Sequence, residues 1–229
     1  MLPGEEEALP VWPEYINTKD AANPYRALDS VQKELQRQAA LVLRMYTETQ
    51  GLLKDYQEVK RKNVAYVGMV VNNLRAQIVK FLLKVSARQL SAHHSKRLFV
   101  YTAMAGDIES MGTHVNALGR LTAQKAVGNV PFSDCGEEEL SEIFSLVERN
   151  IKDALSLTEA VEPQLMKDVF SREEEIDVKV KQARDNHLRR FHARQCQADA
   201  GPIFVEMLIH LERISDHCNN IAEHIGDLQ

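Results

Sequence analysis

The stretch Leu211-Glu212-Arg213-Ile214-Ser215-Asp216-His217-Cys218-Asn219-Asn220-Ile221-Ala222-Glu223 places apolar side chains at Leu211, Ile214, Cys218 and Ile221. Alternating steps of three and four lay such residues along one stripe of an α-helix. Phe204 and Met207 before the stretch and Ile225 after it continue the stripe, and Gly201-Pro202 marks its opening. Glu212 and Asp216 are four apart, so they stand one above the other on a single helical face. At roughly 100° per residue that face points away from the apolar seam. The two carboxylates are therefore expected on the outer surface of a helical bundle.

The same spacing recurs outward from this stretch. Asp107-Ile108-Glu109-Ser110-Met111-Gly112-Thr113-His114 resembles His210-Leu211-Glu212-Arg213-Ile214-Ser215-Asp216-His217, with Ile108 and Leu211 at the same seam position and an asparagine soon after each (Asn116, Asn219). An internal duplication of about one hundred residues is the economical explanation.

Two further helices precede the first copy. One runs through Leu28, Val31, Leu35, Val42, Met45 and Leu52 after the cap and first turn offered by Asn23-Pro24; the other runs through Val64, Val67, Val71, Leu74, Ile78, Phe81 and Val85. The first copy itself continues Tyr101, Met104, Ile108, Met111, Val115 and Leu118. Between Gly128 and Gly136 the pattern breaks around Pro131, and Asp134 with Glu137 has capping-box spacing.

A fourth helix is predicted through Leu140, Phe144, Val147, Ile151, Ala154, Thr158 and Val161, ending near Pro163. A fifth is predicted from a capping box at Ser171 and Glu174 through Ile176, Val180, Ala183, His187 and Phe191. The expected fold is all-α, with six long helices arranged as two three-helix bundles. Residues 1–22 form an extended lead-in or linker, 23–128 the first repeat and 134–229 the second.

Composition supports this class and excludes others. The chain of 229 residues is 44% hydrophobic with only 10 Gly and 7 Pro, which favours helix and permits a sizeable core. A formal net charge of −5 provides no basic field for nucleic acid. Cys135, Cys196 and Cys218 are odd in number and form no Cys-x-x-Cys pair, as in a reduced, cytosolic setting. No apolar run approaches the roughly 20 residues that span a bilayer, and Met1-Leu2-Pro3-Gly4 with Glu5-Glu6-Glu7 lacks the features of a secretory signal.

Glu173 and Asp177 repeat the four-residue spacing one helix before Glu212 and Asp216. An antiparallel neighbour would bring the four carboxylates together, a repulsive cluster unless a cation neutralises it. Oxygen donors suit hard cations. His217 and His224 flank the C-terminal motif, but His217 lies roughly 100° round from Asp216 and is expected to pack or face water. His93-His94, His187 and His192 are read as structural or solvated.

Leu211 to Glu223, and Glu173-Glu174-Glu175-Ile176-Asp177 leading to Asn186-His187-Leu188-Arg189-Arg190, resemble the PhoU family over roughly residues 24–228. That resemblance implies tandem three-helix repeats marked by an acidic residue, three others and an aspartate. It also implies iron or zinc bound at the acidic surface, and a regulatory role in phosphate uptake. The first repeat departs from the family pattern: Thr113 stands in place of the aspartate, Gly68 and Asn72 in place of the preceding acidic pair, and only Glu109 remains. One competent metal site is expected, in the C-terminal repeat, with Glu173, Asp177, Glu212 and Asp216 as ligands.

Within the family, free-standing members link a phosphate transporter to a sensor kinase, and similar domains follow the membrane segments of sodium/phosphate cotransporter proteins. Trp12-Pro13-Glu14-Tyr15-Ile16-Asn17 and Ala22 to Leu28 resemble the joining stretch of the second kind. The resemblance implies a cytoplasmic location at the inner face of the membrane, as the soluble part of a membrane protein. The partners it implies are a phosphate transporter membrane domain or transporter complex and a sensor kinase, with homo-oligomers also in keeping.

No catalytic constellation is read. The sequence has no phosphate-cradling glycine loop and no Glu-x-x-His of the kind that buried di-iron bundles use. The alternatives are a helical scaffold that binds protein without metal and, less favoured, a metal-dependent hydrolase using the surface acids.

Overall fold

The computed structural model describes residues 11–228. The glutamate run of the lead-in, Glu5 to Glu7, lies outside them. Among the described residues every regular element is helical: α1 (Pro24–Lys54), α2 (Glu58–Ser86), α3 (Ala92–Val127), α4 (Asp134–Ser156), α5 (Pro163–His192) and α6 (Ala200–Asp227), with a 3-10 turn at Thr18–Ala22 before α1.

The apolar stripes of α1, α2 and α3 pack on one another, those of α4, α5 and α6 do the same, and α3 against α6 with α1 against α4 joins the two sets. Every seam residue anticipated for α1, α2, α3 and α6 is buried. Burial of these aliphatic side chains supplies the driving force at roughly 25 cal/mol per Å² of apolar surface. Two glycines mark close approaches between helices, Gly112 where α3 meets α2 and Gly68 where α2 meets α1. A Cβ on Gly112 would stand 3.2 Å from Val71 Cγ1, and one on Gly68 would stand 3.2 Å from Met45 Cε.

Helix ends follow local chemistry, with three corrections to the sequence reading. Asn23 caps α1 as expected, its side chain accepting from the amides of Tyr25 and Arg26. The cap of α4 is Ser133 rather than Asp134: its hydroxyl accepts from Gly136 N, leaving Asp134 and Glu137 in the first turn beside the positive end of the helix dipole. Pro163 does not close α4 but occupies the first turn of α5, where its missing N–H is not needed. Accordingly α4 stops at Ser156 and Val161 is exposed, while Ser171, read as a cap, lies inside α5.

Residues of the lead-in next to α1 are tied down by charge. Glu34, fully buried on α1, accepts the backbone amides of Glu14 at 2.9 Å and Tyr15 at 2.8 Å. Arg37 pairs with Glu34 at 2.8 Å and with Glu14 at 3.0 Å. Two amides and a guanidinium satisfy a carboxylate that would otherwise be costly to bury.

Candidate metal centre on the C-terminal face

The acidic face is built by the antiparallel pair α5 and α6. Ile176 and Val180 on α5 and Leu211, Ile214, Ser215 and Cys218 on α6 are buried in the seam, which turns Glu173, Asp177, Glu212 and Asp216 toward its outer margin. Carboxylate oxygens of Glu173, Asp177 and Asp216 lie within 4.8 Å of one another. Glu212 stands beside them and is drawn toward α5 by Arg184, at 3.5 Å. Asp216 also meets Arg213 at 3.1 Å.

The turn bearing Asp216 is braced from beneath. Its neighbour Ser215 is fully buried and accepts from Asn150 Nδ2 at 3.0 Å. Asn150 in turn accepts from Arg172 at 3.2 Å, and Arg172 pairs with Asp153 at 2.7 Å. A polar chain thus runs from α4 through α5 to α6 and fixes the rotation of α6 about its axis.

Crowding shows in the acid strengths. Burial first, then the charges of Asp177 and Asp216, raise the Glu173 carboxyl above its ordinary value. Burial and Asp216 raise Asp177, and burial and Asp177 raise Glu212 against the opposing pull of Arg184. These groups carry their negative charge at a cost that a cation would relieve. The donor set fits a hard ion. Calcium sits roughly 2.3–2.6 Å from each oxygen, so three oxygens this close can share one centre.

The corresponding place in the first half has different chemistry. Glu109 accepts a hydrogen bond from Thr113 at 2.9 Å, Asn72 is exposed, and Gly68 packs under Met45 and Asn116.

His217 and His224 do not turn toward the acids. Both face α3, where Asp107 accepts from His217 Nδ1 at 2.8 Å, His224 Nε2 at 3.1 Å and Asn220 Nδ2 at 3.1 Å. Further along the same seam His114 Nδ1 and His210 Nδ1 are 3.0 Å apart, and the His114 and His217 rings stack at 5.7 Å. Burial, with His210, His217 and Arg213 nearby, pushes His114 down to about 4. Burial and Arg120 also lower His210, against Glu206.

The sequence reading missed this histidine seam. Its signal was the seven-residue spacing of His210, His217 and His224, matched by Asp107 and His114 on the partner helix. His187, read as structural, is buried and stacked on Phe204 at 4.9 Å.

Two three-helix sets with an acidic outer face define a helical-bundle class of protein. Residues 140–225 match the family model described as PhoU domain. The structure is similar to that of PhoU from Pseudomonas aeruginosa, with a TM-score of 0.81 at 22% identity, covering 88% of this chain and 96% of that one. It is also similar to the phosphate transport system regulatory protein PhoU from Streptococcus pneumoniae, with a TM-score of 0.76 at 16% identity, covering 88% and 94% respectively. No match was found among curated protein sequences. The resemblance to PhoU thus holds for the fold of the chain, and for the sequence of the C-terminal half that carries the acids.

Proposed function

We propose that this chain is a regulator of phosphate uptake that acts on a membrane transporter, and that its C-terminal acidic face holds a metal ion. The observation that carries the reading is the convergence of Glu173, Asp177 and Asp216 on a PhoU-type bundle. Glu212 lies at the edge of the set and joins it by releasing Arg184. A bound cation would neutralise the clustered carboxylates and stiffen the α5–α6 face. The side chains themselves hold the ion, and the Asn150–Ser215 bond keeps Asp216 in register with α5.

The role is regulatory rather than catalytic, exercised by docking on the cytoplasmic side of a phosphate transporter or its membrane domain. Among the described residues no helix is long and apolar enough to cross a membrane. The lead-in clamped by Glu34 and Arg37 would pass forces from such a partner to α1.

Elemental mass spectrometry on protein purified without chelator or affinity-column metal tests the site. Stoichiometric iron, zinc or manganese in the wild type, lost in Glu212→Ala/Asp216→Ala, supports it. No metal in either protein would leave a scaffold that works by protein contacts alone.

A further inference from the structure

We propose a second metal site, separate from the acidic face, in which His114 on α3 and His210 on α6 hold one imidazole-preferring divalent cation of the zinc class between the two halves of the bundle. The proposal rests on the distance between their ring nitrogens and on where those nitrogens sit.

His114 Nδ1 and His210 Nδ1 are 3.0 Å apart. Two nitrogens at roughly 2.0–2.1 Å from a tetrahedral zinc ion stand about 3.4 Å apart, so the pair needs to open by only a few tenths of an ångström. In the metal-free protein the two nitrogens share one proton, one ring donating and the other accepting. An ion would take the place of that proton, which leaves to solvent.

The rings come from different helices, and the pairing of His114 with His210 and of Asp107 with His224 shows that α3 and α6 run antiparallel here. Each ring is therefore positioned by its own helix, and closing an ion between them ties one half to the other. His210 is about one-fifth exposed, which leaves room for water to complete the shell. Imidazole donors select zinc-class ions over the hard cations suited to the carboxylates of α5 and α6. Glu206, 3.9 Å from the far nitrogen of His210, offers an acceptor that would orient the ring once its Nδ1 is bound.

The test uses the full chain carrying Asp177→Asn and Asp216→Asn, so that failure of the acidic face cannot be mistaken for failure of this site. It also carries His93→Gln and His94→Gln to remove the adjacent histidine pair in the first turn of α3. Zinc chloride is titrated by calorimetry, and copper(II) is followed by electron paramagnetic resonance, where coupling to ring nitrogen identifies imidazole ligands.

One ion per chain is expected, with affinity falling at least about tenfold in His114→Gln and again in His210→Gln, and with nitrogen coupling from two rings lost in each. Circular dichroism confirms that both variants fold, and because the two substitutions lie on different helices, one misfolded variant leaves the other to decide. Zinc affinity unchanged in a folded variant, or copper without two-nitrogen coupling, would overturn the proposal and leave the pair as a hydrogen bond between neutral rings.

Discussion

Asp107 on α3 accepts a 2.8 Å hydrogen bond from His217 Nδ1 on α6, and its other oxygen accepts from His224 at 3.1 Å. The carboxylate sits between the two halves, largely covered. Burial alone would raise its pKa, but the bonds from His217, His224 and Asn220 outweigh burial and hold it well below the usual carboxylate range. Asp107→Asn keeps the shape and removes the charge that makes these bonds strong. A loss of about 2 kcal/mol in urea unfolding at pH 7 is expected, and an unchanged midpoint would show that the seam is held by apolar packing alone.

His224 gives the seam a pH dependence. The bond to Asp107 raises its pKa, burial lowers it, and the raising effect prevails. A histidine whose folded value exceeds its unfolded value contributes stability in full below about pH 6.5, and loses it as pH rises through the folded value. The stability gap between wild type and His224→Gln should therefore be larger at pH 6 than at pH 8.5. Equal gaps at the two values would contradict the charged pairing.

Glu173, Asp177 and Glu212 behave in the opposite sense to a salt-bridged carboxylate. Their folded pKa values are raised, so in the metal-free protein their charged forms cost stability above those values, and the cost is relieved as pH falls through them. Asp177→Asn should then stabilise the chelator-treated protein at pH 7 by less than about 1 kcal/mol, since the face is solvent-screened. That advantage should shrink as pH falls through the raised value of Asp177. Destabilisation at pH 7 would mean that Asp177 makes a favourable contact that this arrangement lacks.

The lead-in has its own test. Glu34→Gln removes the charge that receives the amides of Glu14 and Tyr15 and pairs with Arg37. Hydrogen exchange at those two amides should accelerate at least about tenfold, which corresponds to about 1.4 kcal/mol of local opening. No change would show that the segment is held by other contacts.

Much of this was legible from residue order, because helical seams are periodic and local. Leu211, Ile214, Cys218 and Ile221, with their counterparts in α1, α2 and α3, are buried as the three-and-four spacing requires. Helix ends were less legible around Pro163 and Ser171. A proline can follow one helix or open the next, and a Ser-x-x-Glu spacing inside a helix looks the same as one at its start. Glu34 was read past because its partners come from the lead-in, a segment with no periodic signal. The histidine seam was missed for a related reason: it depends on α3 meeting α6, helices about one hundred residues apart in sequence.

The most direct measurement is uptake of radiolabelled phosphate by the source cells with the gene deleted, then restored as wild type or as Asp177→Asn/Asp216→Asn. The account predicts that deletion changes uptake, that wild type restores it, and that the double variant, expressed and folded, does not. Uptake indifferent to the gene would contradict the regulatory role. Full restoration by the variant would contradict the part assigned to the acidic face.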